Sequence, residues 1–127
     1  MNDLQKKLLE TLTYLTKYLE EKGLRYYVIG GTMLGAVRHK GFIPWDDDVD
    51  IAMPRSDYEK FIQDFKGVVD GYTLETPRGK ARDFLYAYGK FYDTRTTVVE
   101  KLHRKVKRGV FIDVFPLYTL QLLLYPL

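Results

Sequence analysis

Leucines recur at three- and four-residue intervals through the N-terminal segment of the chain. Lysine, glutamate, threonine and glutamine occupy most positions between them, and the leucines are Leu4, Leu8, Leu12, Leu15 and Leu19. This spacing places the leucines on one face of an α-helix, because a helix has about 3.6 residues per turn. We therefore predict an amphipathic helix over residues 3–22 that ends at Gly23, since glycine is common just after a helix C-terminus.

Apolar and β-branched residues next form short runs bounded by glycine, proline and aspartate, which is typical of β-strands. The predicted strands cover residues 25–29, 48–53, 72–76, 84–92, 96–100 and 109–116. A short helix is predicted over residues 32–38, and a longer one after Pro54, with Ser56 and Glu59 as its capping box. Segment 101–108 is predicted to be a basic loop. The pattern indicates an α/β (α+β) fold, with a small mixed β-sheet flanked by helices.

The composition is that of an ordinary globular protein. The chain has 127 residues, a formal net charge of +3 and no cysteine. We predict a single domain over residues 1–127, with the N-terminal helix at 3–22 and the core at 25–117. The small net charge argues against a specific nucleic-acid surface. The absence of cysteine excludes disulfides and thiolate zinc sites.

Both ends of the sequence bear on where the protein acts. The N-terminal segment is amphipathic and does not have the pattern of a signal peptide, so we predict a cytoplasmic protein. Residues 110–127 are apolar but contain Asp113 and prolines, and they lack the uninterrupted run of about 20 residues that a membrane span requires. The sequence stops within Leu-Leu-Leu-Tyr-Pro-Leu, which predicts a domain shortened at its C-terminus.

Candidate chemistry is concentrated between residues 30 and 51. Gly30, Gly31 and Thr32 follow a predicted strand and open a predicted helix, and the free N–H groups of a helix start favour phosphate. Asp48 and Asp50 are separated by one residue, so they project to the same side of a strand and can bind one divalent cation. The sequence therefore predicts a phosphate-binding turn beside a metal site.

A third acid, Asp113, lies within the apolar run Phe-Ile-Asp-Val-Phe. A buried carboxylate is costly unless a cation or hydrogen bonds compensate it. We therefore predict that Asp113 lies on a neighbouring strand and shares the cation of Asp48 and Asp50. Asp46 is a further candidate ligand, although it serves equally well as a solvated loop acid. Oxygen ligands of this kind suit Mg²⁺ or Mn²⁺.

These acids are also the predicted catalytic residues. In phosphate transfer, a divalent cation neutralises phosphate charge and lowers the pKa of the acceptor hydroxyl. We predict that Asp48 and Asp50 hold the cation and that Asp113 orients or deprotonates the acceptor hydroxyl.

The order of these features resembles that of a known family. An apolar strand that ends in Gly30-Gly31-Thr32, a short helix, the pair Asp48-Val49-Asp50 and the later acid Asp113 resemble the LicD family of phosphocholine transferases. That family is related to fukutin and belongs to the nucleotidyltransferase-fold superfamily. The resemblance covers most of the chain.

The resemblance implies a specific activity. Phosphocholine, or a similar substituted phosphate, would move from CDP-choline or a related nucleotide donor to a hydroxyl of a cell-surface glycan precursor, such as a teichoic acid or lipopolysaccharide, with CMP leaving. It implies phosphate contacts for Gly30, Gly31 and Thr32, metal contacts for Asp48 and Asp50, and the third carboxylate position for Asp113. The implied location is the cytoplasm, with peripheral contact at the inner face of the membrane.

Other functions stay open at this point. A nucleotidyltransferase that acts on a protein, RNA or small molecule would use the same acids. A catalytically inactive remnant that binds a nucleotide or a partner would retain the same turn. A glycosyltransferase with an Asp-x-Asp motif is less favoured because it leaves Gly30 and Gly31 unexplained.

Basic and aromatic side chains near these motifs have two interpretations each. Arg38 is a candidate for donor phosphate, because guanidinium contacts phosphate through two bonds, but it also suits a helix C-terminus. Segment 101–108 is either a solvated loop or a surface that attracts an anionic acceptor or lipid headgroups. Several aromatic residues suit either the core or a box for a quaternary ammonium; they are Trp45, Tyr26, Tyr27, Tyr86, Tyr88 and Tyr92.

Overall fold

The computed structural model describes residues 3–29, 49–77, 88–101 and 105–117, and for 98–101 and 105–108 it describes the backbone alone. The helices are α1 (Asp3–Glu21) and α2 (Arg55–Asp64). The strands are β1 (Tyr27–Val28), β2 (Asp50–Pro54), β3 (Val68–Val69), β4 (Tyr72–Glu75), β5 (Gly89–Asp93), β6 (Val98–Lys101), β7 (Lys105–Arg108) and β8 (Phe111–Leu117).

A six-stranded mixed sheet forms the centre of the fold, with the strand order β1-β2-β8-β5-β4-β3. β2 and β8 run parallel, and the other neighbouring strands of this sheet are antiparallel. β8 follows β7 in the chain but lies between β2 and β5. The predicted α+β fold with a mixed sheet is therefore confirmed.

The N-terminal helix is confirmed with the predicted leucine face. Leu8, Leu15 and Leu19 are buried in α1. The helix ends in a Schellman motif, in which the N–H of Leu24 donates to the carbonyl of Leu19 at 2.8 Å and that of Gly23 to Glu20 at 3.1 Å. Gly23 has a φ of +69°, a conformation that glycine adopts without steric cost.

Helix α2 begins directly after β2, and the predicted capping box is wrong. The N-cap residue is Pro54, and no side chain caps the helix. Ser56 lies inside the first turn, where its Oγ donates to Asp57 Oδ1 at 3.1 Å. Glu59 instead pairs with Arg55, whose Nε lies 3.0 Å from Glu59 Oε1. Asp57 is the acid of the first turn, where a negative charge is favoured by the positive end of the helix dipole.

Both helices bury side chains in one hydrophobic core with alternate residues of the central strands. Phe61 of α2 and Phe91 of β5 are fully buried there, with ring centroids 6.0 Å apart. Ile51 and Ile112 enter the same core from β2 and β8. Successive residues of a strand project to opposite faces. The residues that alternate with these core residues along each strand therefore lie on the face of the sheet away from the helices.

The predicted basic loop is wrong over most of its length. β6 ends at Lys101, and Lys105–Arg108 forms β7, which pairs with β6 in an antiparallel arrangement. Basic side chains do not distinguish a hairpin from a loop, since both can expose them to solvent. In the described part of the chain, neither helix combines the length and apolarity that a membrane crossing requires.

Candidate functional site

Two predicted site acids lie side by side at the centre of the sheet. Asp50 of β2 and Asp113 of β8 are direct partners in the parallel pair, and the N–H of Asp113 donates to the carbonyl of Val49 at 3.1 Å. Paired residues of neighbouring strands project to the same face. Since Ile51 and Ile112 are fully buried in the core, both carboxylates lie on the face away from the helices.

A buried lysine is the partner of Asp113 on its other side. Lys90 of β5 is in register with Asp113, and its Nζ donates to Asp113 Oδ1 at 2.7 Å. The Lys90 side chain is 2% exposed, against 17% for Asp113. Its Nζ lies 3.7 Å from the ring centroid of Phe111 and 5.4 Å from that of Tyr88. The aromatic faces and the Asp113 carboxylate help to compensate the buried ammonium.

Four charged residues thus cross the sheet in one row, and we call them the charged row: Asp50, Asp113, Lys90 and Glu75. Glu75 of β4 is in register with Lys90, and its Oε1 accepts a hydrogen bond from the Tyr92 hydroxyl at 2.9 Å. Carboxylates therefore lie on both sides of the lysine. With all four groups ionised, the row carries more negative than positive charge, which favours a bound cation.

The donor set of the row suits Mg²⁺ or Mn²⁺ in type, because both prefer carboxylate oxygen. Within the described ranges, no group of three or more acidic, histidine or cysteine side chains could hold a metal ion. The structure there brings two acids together, Asp50 and Asp113. Their role as metal ligands stays a prediction.

The remaining predicted site residues lie outside the described residues, and their assigned roles also stay predictions. They are Gly30, Gly31, Thr32, Arg38, Asp46 and Asp48.

The tyrosines proposed for a quaternary-ammonium box have contacts of their own. Tyr26 donates to Glu20 Oε1 at 2.8 Å and packs against the core. Tyr88 packs against Phe115 with the two rings tilted and their centroids 4.2 Å apart, and it lies near the Lys90 ammonium. The contacts of Tyr26 support the core interpretation, whereas Tyr88 lies on the face of the sheet that carries the charged row.

The remaining aromatic candidates are Tyr27, Tyr92, Trp45 and Tyr86, and the structure describes the first two of them. Tyr27, on β1, is 52% exposed, while Trp45 and Tyr86 lie outside the described residues.

Lys90 was not predicted from the sequence, although a signal for it exists. It lies in the run Gly-Lys-Phe-Tyr-Asp, where a lysine interrupts an aromatic strand. A lysine in such a strand is as costly as an aspartate in Phe-Ile-Asp-Val-Phe. An unexplained lysine in one apolar strand and an unexplained aspartate in another could have indicated an ion pair between the two strands.

A second buried carboxylate anchors the chain just before the predicted phosphate turn. Asp57 Oδ2 accepts from the backbone N–H of Arg25 at 2.6 Å and from its Nε at 3.1 Å, and Oδ1 accepts from Nη2 at 2.9 Å. The Arg25 side chain is the main cause that lowers the pKa of Asp57 to about 2. This contact ties the start of α2 to the residues that lead into β1.

Comparison with known proteins assigns the family. A family model described as LicD/FKTN/FKRP, nucleotidyltransferase domain, matches residues 23–123. The chain is 36% identical over 108 residues to the lipopolysaccharide cholinephosphotransferase LicD of Haemophilus influenzae, covering 84% of this chain and 40% of that protein. It is 31% identical over 112 residues to the human ribitol 5-phosphate transferase FKRP, covering 86% of this chain and 20% of that protein.

A shorter match reaches an uncharacterised protein of Rickettsia prowazekii, 38% identical over 63 residues, with 47% of this chain and 23% of that protein covered. The family model matches most of the chain, so the protein belongs to the LicD/FKTN/FKRP family. The resemblance to the LicD family is thereby confirmed. The chain spans less than half the length of the curated relatives named above.

Proposed function

We propose that this protein is a metal-dependent transferase that moves phosphocholine, or a similar substituted phosphate, from a CDP-linked donor to a hydroxyl of a cell-surface glycan precursor. The observation that carries the proposal is the pairing of Asp50 with Asp113 across parallel strands. Relatives named for cholinephosphate transfer to lipopolysaccharide and for ribitol 5-phosphate transfer support the substrate class. Lipopolysaccharide and teichoic acid precursors are the proposed acceptors.

The proposed roles follow from the charges of the residues. Asp50 and Asp113 would hold Mg²⁺ or Mn²⁺ together with Asp48 and Asp46. The bound cation would neutralise phosphate charge and lower the pKa of the acceptor hydroxyl. The donor phosphates would contact the backbone and side chains of a separate group, which consists of Gly30, Gly31, Thr32 and Arg38.

The proposed reaction is a displacement at the phosphorus that carries choline. The acceptor oxygen forms a bond to that phosphorus, and the bond from the phosphorus to the oxygen that bridges it to CMP breaks. CMP leaves with the electron pair of that bond. The proton of the acceptor hydroxyl passes to Asp113, whose carboxylate also orients the hydroxyl. The precursor would meet the protein in the cytoplasm, at the inner face of the membrane.

Purified protein tests the proposal directly. Incubation with Mn²⁺ or Mg²⁺, CDP-choline and a lipopolysaccharide or teichoic acid precursor should yield a glycan whose mass has increased by phosphocholine. A parallel reaction with CDP-ribitol tests whether the protein transfers ribitol phosphate in place of phosphocholine. Asp113→Asn should lower the rate by at least about 100-fold, because it removes a metal ligand and proton acceptor. Asp64→Asn is the matched control, since Asp64 is exposed on α2.

Two results would contradict the proposal. Transfer of labelled nucleotide from CTP or ATP to the acceptor would instead indicate a nucleotidyltransferase. Calorimetric binding of CDP-choline with Mn²⁺ but without turnover on any of these acceptors would indicate a binding protein.

A further inference from the structure

We propose that Lys90 is a positioning residue for the acid pair: its ammonium holds one oxygen of Asp113 and weakens the affinity of Asp50 and Asp113 for a divalent cation. The metal part of this inference rests on the proposed function. The ion pair itself rests on the structure alone.

The first support is the geometry of the contact. Lys90 Nζ donates to Asp113 Oδ1 at 2.7 Å, and the lysine side chain is 2% exposed. A short charge-assisted hydrogen bond within the sheet restricts rotation of the carboxylate. Asp113 Oδ2 is therefore the oxygen offered to a cation or to an acceptor hydroxyl. A residue that fixes the carboxylate through one oxygen positions it without touching the substrate.

The second support is the balance of charge along the charged row. Asp50 and Asp113 are direct neighbours, and like charges on paired strands repel each other. Lys90 is in register with Asp113, so its positive charge offsets part of that repulsion when no divalent cation is bound. Aromatic rings of Phe111 and Tyr88 line the ammonium, which reduces screening by water and strengthens both effects.

The same charge acts against a divalent cation. A cation held by Asp50 and Asp113 shares a carboxylate with the Lys90 ammonium, and two positive charges on one carboxylate repel each other. Removing the lysine removes this repulsion. It also leaves the Asp113 side chain free to rotate, so ordering that side chain on metal binding then costs some entropy. The Coulomb effect is the larger of the two at such short range. Loss of Lys90 should therefore tighten metal binding, the opposite of the result expected for a damaged site.

The first experiment measures Mn²⁺ binding by calorimetry at pH 7.5. Lys90→Met keeps the length of the side chain but removes its charge, and we expect it to bind Mn²⁺ at least about tenfold more tightly than the wild type. Lys90→Arg keeps the charge and should stay within about threefold of the wild type. Lys60→Met is the matched control, because Lys60 is exposed on α2. Unchanged or weaker Mn²⁺ binding by Lys90→Met would overturn the proposal.

The second experiment needs no metal and covers the case in which Lys90→Met folds poorly. The midpoint of thermal unfolding is measured in EDTA for the wild type, Lys90→Met, Asp113→Asn and the double variant. Lys90→Met should lower the midpoint, and the loss should be smaller in the Asp113→Asn background, because the lysine there lacks the carboxylate that its Nζ contacts in the wild type. An equal loss in both backgrounds would show that the two residues are not coupled.

These results distinguish the inference from the proposed function. Mn²⁺ binding that tightens in Lys90→Met, without any phosphocholine transfer by the wild type, would support the inference and contradict the transferase. Transfer by the wild type, with no change of Mn²⁺ affinity in Lys90→Met, would support the transferase and overturn the inference.

Discussion

The carboxylate of Asp57 makes the stability of the protein depend on pH at the residue scale. Asp57 is 6% exposed, and its contacts with Arg25 lower its pKa to about 2, against about 3.9 in an unfolded chain. A group whose pKa is lowered by folding stabilises the folded state above its unfolded pKa. That contribution is lost as the pH falls from about 4 towards 2.

We therefore expect Asp57→Asn to flatten the pH dependence of stability in the acid range. Urea unfolding at several pH values between about 6 and 2.5 measures the free energy of unfolding. The wild type should lose more stability than Asp57→Asn below about pH 4, because the variant has no carboxyl to protonate at this position. Asp64→Asn, an exposed acid in the same helix, should follow the wild type. Parallel curves for Asp57→Asn and the wild type would exclude this contribution.

Gly109 gives a second prediction at this scale. A Cβ at this position would lie 1.9 Å from the carbonyl oxygen of Asp93, and a backbone atom within a sheet cannot move aside. Gly109→Ala should destabilise the protein by about 2–3 kcal/mol or more. Gly89→Ala is the control, since its closest new contact would be Leu74 Cδ1 at 3.3 Å. Equal unfolding midpoints in urea for the two variants would contradict the steric argument.

At the scale of elements, helix α1 is held to the sheet by charge as well as by its leucines. Lys7 of α1 pairs with Asp93 of β5, a fully buried carboxylate that also accepts from Arg95 Nε at 2.7 Å. Burial alone would raise the pKa of Asp93, but the hydrogen bonds from Arg95 and Lys7 outweigh it and leave the pKa well below its usual range. The helix thus completes the charge balance of a buried acid.

Lys7→Met should weaken the docking of α1. We expect a loss of about 1–2 kcal/mol in the free energy of unfolding, because one charged hydrogen bond to Asp93 disappears while that from Arg95 remains. Lys6→Met, a change at the adjacent exposed position of the same helix, should alter stability by less than about 0.5 kcal/mol. Urea unfolding of both variants is the measurement, and similar losses would show that the Asp93 contact adds nothing.

The elements differ in how well the sequence predicts them. The leucine spacing identifies α1 because burial of one stripe requires the 3.6-residue period. The start of α2 was placed wrongly because Ser56 and Glu59 match a capping box with Ser56 as the N-cap, yet the N-cap is Pro54, two residues earlier. β7 was missed because its four residues, Lys105–Arg108, include three basic side chains. Local composition does not report the cross-strand pairing that stabilises such a hairpin.

At the scale of the whole molecule, the two helices and the sheet share the same buried aromatic residues. Phe61 is fully buried, and its ring lies near those of Phe65, Phe91 and Tyr18, with centroids 5.9, 6.0 and 5.8 Å away. Tyr18 lies in α1, Phe61 in α2 and Phe91 in β5, and Phe65 is the C-cap residue of α2. Loss of packing at this point should therefore affect all parts of the core together.

Phe61→Ala should destabilise the protein by about 3–5 kcal/mol. Far-ultraviolet circular dichroism and tyrosine or tryptophan fluorescence, followed in urea, should report the same midpoint if the core unfolds as one unit. Val68→Ala is the control, because Val68 is 63% exposed, and we expect a change within about 0.5 kcal/mol. Separate midpoints from the two probes would show that the core does not unfold as one unit.

The position of Asp113 beside Asp50 followed from the cost of a carboxylate in an apolar strand, and the register of β2 and β8 agrees with it. The same argument did not predict Lys90 as the partner of Asp113, because the antiparallel pairing of β5 with β8 depends on the strand order of the sheet. Strand order is set by long-range packing, which periodicity in one segment does not contain. The sequence thus predicted Asp50 and Asp113 as site residues, but it predicted neither Lys90 nor Glu75.

The central place of β8 also determines when the site can exist during protein synthesis. β2 and β5 leave the ribosome before β8, and until β8 emerges their facing edges have no strand between them. A nascent chain at that stage exposes unpaired backbone groups, which are a hazard for aggregation. Asp50 lacks its neighbour on β8 for the same interval. Assembly of the paired acids therefore waits until β8 has emerged, and it is coupled to closure of the sheet itself.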